Sequence, residues 1–338
     1  MEPELPDGDE REVGTVLCTL MWRPEDVQPL RDAFAPAEFV HLHPGDEAGI
    51  ADVLQRAEVA IHQLDIDERF LRAPRLRWVH CDHSGLTRSA KPEVFERGLI
   101  VTGSAGRSAT ALAQHAFYFA LALTFDARRL FQMQDAHIWR GIPDYHERLA
   151  LAGKTLGVIG FGHTGKAMAD LGAAFGMRVI AYRRRAGETD ESVDQMLSAD
   201  AGDTVDDLLE QADVVMLAAQ LSDETRHMIS AREFALMKRD AYIINLARGP
   251  LINQADLIAA LESGQIAGAG LDVTDPEPLP SDSALWDMPN VVITPHVTPK
   301  LPDRTGRSAQ IIIENLARYR SGQPLRNALT PRDIYTHD

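Results

Sequence analysis

The stretch Leu156-Gly-Val-Ile-Gly-Phe-Gly-His-Thr-Gly165 decides how the chain folds. It opens as a short apolar run of the kind that fills a buried parallel strand. It then passes Gly160, Gly162 and Gly165 and continues as Lys166-Ala-Met-Ala-Asp-Leu-Gly-Ala-Ala-Phe175, with helical periodicity. A strand, a Gly-x-Gly-x-x-Gly turn and a helix in that order form the phosphate-binding corner of a dinucleotide fold. Gly160 permits the tight turn, Gly162 lets backbone approach a pyrophosphate, and Gly165 lets the helix pack closely on the strand. The helix N-terminus, entered through His163 and Thr164, offers free N–H groups and a positive dipole end to the phosphates.

Outward from this corner, apolar runs alternate with helical patterns in both directions. On the N-terminal side Thr15 to Leu20, Glu38 to Leu42, Glu58 to Ile61, Leu76 to His80 and Leu99 to Thr102 read as strands. Pro24 to Phe34, Asp46 to Arg56 and Pro92 to Arg97 read as helices between them. One long helix is expected from Ser108 to Arg129; its apolar positions run nearly all round, as in a helix sandwiched between domains. The segment from Trp139 to His146 is irregular. After the glycine corner, strands are expected at Met177 to Tyr182, Asp213 to Ala218, Ala241 to Asn245, Ile266 to Leu271 and Val291 to Thr294. Helices are expected at Thr204 to Leu209, Ala231 to Met237, Asn253 to Leu261 (capped by Asn253, stopped by Gly264) and Pro302 to Arg320. The fold class is α/β, two Rossmann-like or flavodoxin-like doubly wound parallel-sheet domains, and the cleft between them is the default ligand site.

Composition bounds the function. The chain has 338 residues, enough for two domains with full cores. Its net charge of −16 argues against nucleic acid and anionic membrane surfaces as partners. No apolar run is long enough to span a bilayer. The acidic start, Met1 to Glu12, lacks the features of a signal peptide and reads as a frayed leader. Cys18 and Cys81 form no disulfide framework, and a cytoplasmic location is expected.

Several positions carry chemistry. The second strand of the nucleotide domain ends in Arg183-Arg184-Arg185. A site for NAD wants Asp or Glu roughly 20 residues past the first glycine, to hold the ribose 2′-hydroxyl. Guanidinium groups there suit a 2′-phosphate instead, so NADP(H) is the preferred cofactor, with NAD(H) possible. Asn245-Leu-Ala-Arg-Gly-Pro250 follows a buried strand and delivers Arg248, a permanently charged fork suited to a carboxylate, to the carboxyl edge of the sheet. Asp272 and Glu277 follow the next strand and His296 the last. Glu277 beside His296 would orient the imidazole and favour its charged form, which suits proton exchange with a substrate hydroxyl. His80-Cys-Asp-His83 superficially resembles a metal site. Alternate strand residues point to opposite faces, however, and no second ligand set is spaced for zinc, so no metal is expected.

Gly160-Phe-Gly-His-Thr-Gly165, Asn245-Leu-Ala-Arg-Gly249, the run from Gly270 to Leu279 and Thr294-Pro-His296 resemble, in order, the signatures of the D-isomer-specific 2-hydroxyacid dehydrogenases. The resemblance covers nearly the whole chain. It implies that Arg248 binds the substrate carboxylate and keto oxygen, that His296 is the acid/base and that Glu277 is its partner. It implies cofactor contacts from Gln220, Thr225 and Ala247 as well as the glycine loop, and places Asp272 by the nicotinamide. It makes Leu76 to Gly85 the substrate loop, with backbone N–H groups near Ser84 and Gly85 on the carboxylate. It further implies a discontinuous substrate domain (residues 1–107 and 299–338), a nucleotide domain (108–298) and a homodimer built on the latter. The implied reaction interconverts a small 2-oxoacid and its D-2-hydroxyacid, in the manner of glyoxylate or hydroxypyruvate reductases. The rivals are a cofactor-sensing, corepressor-like binding protein, and a formate- or phosphite-type dehydrogenase. The sequence departs from the family at Ala218-Ala-Gln-Leu-Ser222, where a His-x-Pro-Leu-Thr run is common. Gln114 stands where Glu is common, Val-Thr-Pro follows His296, and Gly85-Leu-Thr stands where Gly-x-Asp is usual.

Overall fold

The computed structural model describes residues 12–139, 145, 148, 150–187 and 189–337. The acidic start up to Arg11 lies outside the described residues, as do Arg140 to Asp144 and His146 of the irregular segment after Trp139. The chain divides into two compact units: the residues up to Arg107 together with those from Leu301 on, and Ser108–Lys300.

The first unit alternates β1 (Thr15–Cys18), α1 (Pro24–Phe34), β2 (Glu38–His41), α2 (Glu47–Leu54), β3 (Val59–His62), α3 (Glu68–Arg72), β4 (Trp78–Cys81), α4 (Pro92–Glu96) and β5 (Ile100–Gly103). The five strands form one parallel sheet in the order β2-β1-β3-β4-β5. Side chains alternate across it. Leu17, Ala60, Val79 and Val101 pack with α2, α3 and α4 on one face, and Val16, Cys18, Val59, Ile61 and Trp78 on the other. Both faces of the inner strands are largely apolar because both are covered, which is why β1, β3 and β4 read as nearly continuous runs. The short helix α3 was not anticipated.

The second unit holds α5 (Ala109–Thr124), α6 (Ala127–Asp135), β6 (Thr155–Ile159), α7 (His163–Ala174), β7 (Arg178–Arg183), β8 (Gln195–Ser198), α8 (Asp206–Gln211), β9 (Val214–Leu217), α9 (Ala231–Leu236), β10 (Tyr242–Asn245), α10 (Gln254–Glu262), β11 (Gly268–Leu271) and β12 (Val291–Ile293). Its seven strands are all parallel, in the order β12-β11-β10-β9-β6-β7-β8. The core joins Leu156 and Val158 of β6 to Ala113, Ala116 and Phe117 of α5 and Met168 and Ala169 of α7.

Two expectations fail here. The single helix from Ser108 to Arg129 is two, broken where Asp126 takes left-handed backbone angles (φ 54°, ψ 51°). Arg148 explains the stop: Nη1 donates to the carbonyls of Leu123 and Thr124, at 3.3 and 3.2 Å, and Nη2 to the Asp126 carboxylate at 3.0 Å. A cation on the last carbonyls ends a helix favourably. Strand β8, at the sheet edge, was also missed. The helix α11 (Arg304–Arg320) closes the first unit, with Ile312, Leu316 and Tyr319 on the sheet face that carries Trp78. The rings of Trp78 and Tyr319 stack at 5.6 Å. Among the described residues no helix is long and apolar enough to cross a membrane.

Candidate active site

Because every strand of the second unit is parallel, the loops leaving their carboxyl ends share one edge. Sheet order then sets the order of the chemistry along that edge: His296 after β12, Asp272 and Glu277 after β11, and Arg248 after β10. Gln220 follows after β9, the glycine loop after β6 and Arg183 to Arg185 at the end of β7. The chain reverses its winding between β6 and β9, and a crevice at such a switch point is where dinucleotides bind in doubly wound sheets.

The glycine loop has the required form. Gly160 has φ +97°, and a Cβ there would lie 2.4 Å from the Ala219 nitrogen of the β9 loop. A Cβ on Gly165 would sit 1.9 Å from the Gly160 carbonyl oxygen. At Gly162, by contrast, a Cβ would meet nothing within 4 Å. The first helical bond of α7 runs from Lys166 N to Gly162 O at 2.9 Å, so the amides of His163, Thr164 and Gly165 precede the helical ladder. Open space at a helix N-terminus bounded by tight turns fits a pyrophosphate. Arg183 and Arg184 are half-buried at the end of β7, and Arg185 is exposed. Arg184 lies 3.9 Å from Glu224, a long ion pair. The loop beyond is tied back to α7: Lys166 Nζ bonds Asp190 at 2.9 Å and Asp170 at 3.0 Å, and Lys166 holds the half-buried Asp190 carboxyl down at about 2. After β9, Thr225 Oγ1 donates to the carbonyl of exposed Gln220 at 2.7 Å and accepts from Ser222 N at 2.8 Å.

The β10 loop is held by its own strand end. The side chain of buried Asn245 accepts from Ala247 N at 3.0 Å and donates to the Arg248 carbonyl at 2.9 Å. Arg248 Nη1 donates to the Ala247 carbonyl at 2.6 Å. This loop touches the next: a Cβ on Gly249 would lie 1.9 Å from the Thr274 carbonyl oxygen.

Glu277 and His296 meet as expected, with Nδ1 2.6 Å from Oε1. Their side chains are 41% and 52% exposed, so the pair stands in reach of solvent and ligands. His296 adopts φ +54°, rare for a residue with a side chain, and its amide donates to the Asp272 carbonyl at 2.9 Å. A carboxylate only accepts, so the proton between them sits on Nδ1 and Nε2 is the nitrogen that can exchange a proton.

Asp272 is buried (3% exposed), and its carboxylate is committed inside the unit. It accepts from Thr294 Oγ1 at 2.6 Å and from Val297 N at 2.9 Å, and Thr298 Oγ1 lies farther off, at 3.4 Å. Behind both threonines lies His115 of α5, which the sequence reading passed over. Thr294 and Thr298 flank His296 symmetrically, a signal visible in the sequence, but nothing there shows that their partner stands nearly 180 positions earlier.

In the first unit, Ser84 is exposed, with Oγ 3.3 Å from the Ser104 carbonyl, and Gly85 is half-buried. His80 is not placed as a ligand: it lies between the hydroxyls of Thr102 and Ser104 at 3.0 and 2.9 Å. Among the described residues no three His, Cys, Asp or Glu side chains are grouped to hold a metal.

A seven-stranded parallel sheet with this glycine corner, and an Arg, Glu and His delivered to the same edge, is the frame of a nicotinamide-dependent oxidoreductase. Residues 117–298 match the family model of the D-isomer specific 2-hydroxyacid dehydrogenase NAD-binding domain. A glyoxylate reductase of Korarchaeum cryptofilum is 34% identical over 265 residues, 76% of each chain. A D-isomer specific 2-hydroxyacid dehydrogenase of Xanthobacter autotrophicus, solved with NADPH and MES, superposes with a TM-score of 0.78 at 28% identity, covering 95% of this chain and 99% of that one. An NADPH-dependent glyoxylate/hydroxypyruvate reductase of Sinorhizobium meliloti, solved with NADP and sulfate, gives 0.77 at 28%, covering 94% and 98%. The chain belongs to the D-isomer specific 2-hydroxyacid dehydrogenase family.

Proposed function

We propose that the protein is an NADPH-preferring reductase of small 2-oxoacids of the glyoxylate or hydroxypyruvate kind, forming the D-2-hydroxyacid. The observation that carries this reading is the Glu277–His296 pair, bonded at 2.6 Å and half-exposed on the sheet edge that also bears Arg248. Bound nicotinamide supplies the hydride that the substrate carbonyl carbon receives. His296 gives the carbonyl oxygen its proton from Nε2, and Glu277 fixes the ring and stabilises the imidazolium. Arg248 holds the carboxylate and polarises the keto oxygen. The amides near Ser84 and Gly85 share the carboxylate. His163, Thr164, the three glycines, Gln220, Thr225 and Ala247 hold the dinucleotide, and Arg183, Arg184 and Arg185 take the 2′-phosphate. The buried bonds of Asp272 make it a scaffold for the His296 loop, with its backbone beside the nicotinamide. A cytoplasmic homodimer, paired through the nucleotide-binding unit, completes the proposal.

Following NADPH and NADH absorbance against a panel of small 2-oxoacids tests this. Turnover with glyoxylate or hydroxypyruvate is expected, faster with NADPH. Tight cofactor binding without turnover of any acid would instead favour a cofactor sensor. Replacing Arg183 and Arg184 together by Ala should weaken NADPH binding at least tenfold and leave NADH nearly unchanged, since each charge-assisted bond contributes about 1.5–3 kcal/mol. Equal losses in a fluorescence titration would sink the NADP preference.

A further inference from the structure

Two residues either side of the acid/base histidine converge on one buried imidazole. His115 is 8% exposed and its ring stacks on Phe119 at 4.8 Å. Its Nε2 is 3.2 Å from Thr294 Oγ1, two residues before His296, and its Nδ1 is 2.9 Å from Thr298 Oγ1, two residues after.

Counting hydrogens settles who donates. Thr294 has one hydroxyl hydrogen, and its 2.6 Å bond to Asp272 Oδ1 takes it. Thr294 Oγ1 must therefore accept from His115 Nε2–H. A neutral ring then has its lone pair on Nδ1, which accepts the hydroxyl of Thr298 at 2.9 Å, a better bond than the 3.4 Å alternative to Asp272. Burial also pushes His115 below the usual histidine range, against the opposing pull of Asp272, and so keeps the ring neutral. Every hydrogen in the chain Thr298 → His115 → Thr294 → Asp272 has one acceptor. The Asp272 carboxylate also takes the Val297 amide, and its carbonyl takes the His296 amide. The left-handed turn at His296 is thus bracketed on both sides.

We propose that His115 is a positioning residue for the reduction: from helix α5 it clamps Thr294 and Thr298, and through Asp272 it fixes the strained turn that aims His296. This rests on the function proposed above. His115 itself touches no substrate. A displacement of about 1 Å in a reacting group can cost on the order of a hundredfold in rate, so a clamp on the turn is worth catalytic power without contact.

The test compares the wild-type protein with His115→Ala, Thr298→Val and the double variant. In His115→Ala, kcat for 2-oxoacid reduction should fall about ten- to a hundredfold, with KM and the NADPH dissociation constant within about twofold. The double variant should lose no more than the worse single variant, because both break one chain of bonds. Independently of activity, exchange of the Val297 amide, measured on the folded protein, should accelerate at least tenfold in His115→Ala. Thr298→Val carries the same comparison if the alanine variant does not fold. Normal kcat with unchanged Val297 exchange would overturn the inference, as would fully additive losses or an equal loss of NADPH affinity. If the wild-type protein reduces no 2-oxoacid, the proposed function fails, while the exchange measurement still decides whether the clamp exists.

Discussion

Each unit contains a carboxylate paired with a nitrogen-bearing basic side chain, and the two pairs are built oppositely. In the first unit Asp82 and Arg107 are 2% and 4% exposed and bonded to one another. Asp82 also accepts from Ser104 Oγ at 2.9 Å and from Trp22 Nε1 at 3.1 Å, and Arg107 donates to Ser308 of α11 at 2.8 Å. Ser104 receives the Nε2–H of buried His80, whose Nδ1 faces Thr102 Oγ1, itself 2.9 Å from Trp78 Nε1. In the second unit Glu277 and His296 share a single bond and stand half in solvent. A buried pair held in place by Ser104, Trp22 and Ser308 cannot exchange protons freely; it ties α11 to the residues that follow β4 and β5. An exposed pair with one imidazole nitrogen uncommitted to its partner can pass a proton and return. On the proposed function, burial more than residue type separates the structural pair from the one that exchanges a proton.

The largest effect should fall on the exposed pair. His296→Ala is expected to lower kcat/KM for the 2-oxoacid about a thousandfold, with NADPH affinity and melting temperature nearly unchanged. A smaller kinetic loss accompanied by unfolding would make the pair structural and erase the distinction. The mirror experiment is Asp82→Asn. It leaves Arg107 buried without its counter-charge, so chemical denaturation should show a loss of about 4 kcal/mol. A variant that unfolds at the wild-type denaturant midpoint would show that the buried pair holds nothing.

Burial also predicts acid sensitivity in the first unit. Desolvation pushes His80 down to about 4, and His62, beside Thr19 at 2.7 Å, likewise to about 4. Both are neutral in the fold, whereas in the unfolded chain histidine titrates near 6.5. Between those values the unfolded state binds more protons, so stability rises with pH across this window and is lost as pH falls from about 6.5 towards 4. For His80 alone the loss approaches about 3 kcal/mol. His80→Gln should flatten part of that dependence in denaturation measured from pH 7 to 4. An unchanged slope would mean that another group carries it.

The same contrast explains what could be read from the sequence. Parallel strands covered on both faces are largely apolar, so β1, β3, β4, β5 and the glycine corner announced themselves, and with them Arg248, Glu277 and His296 at strand ends; edge strand β2 was legible only through its central Phe39-Val40. Strand β8, Gln195-Met-Leu-Ser, is half-polar and lies at the sheet edge, and it was not read as a strand. The break at Asp126 depends on Arg148, which arrives from beyond the helix. The Asp82 and His115 networks are assembled from residues far apart in the chain, and each member alone is an ordinary polar residue. Motifs report local backbone needs. Buried polar networks are products of topology and leave no local pattern.

The smallest effect tests the comparison most finely. Glu277→Gln keeps the size and one hydrogen-bonding oxygen beside His296 Nδ1 but removes the charge. If Glu277 served only to orient the ring, the amide oxygen would accept from Nδ1–H and the rate would hardly change. If its charge also stabilises the imidazolium, the variant loses an electrostatic contribution screened by solvent. Because the pair is half-exposed, that contribution is modest. A fall in kcat/KM of about tenfold is expected, or about 1.4 kcal/mol, far less than for His296→Ala. High salt should narrow the gap between variant and wild type, because an exposed charge is screened far more than a buried one. Steady-state reduction kinetics at low and high ionic strength decide the matter. A thousandfold loss independent of salt would mean that the pair works as a closed, buried unit like Asp82–Arg107, and that solvent exposure does not mark the reactive pair.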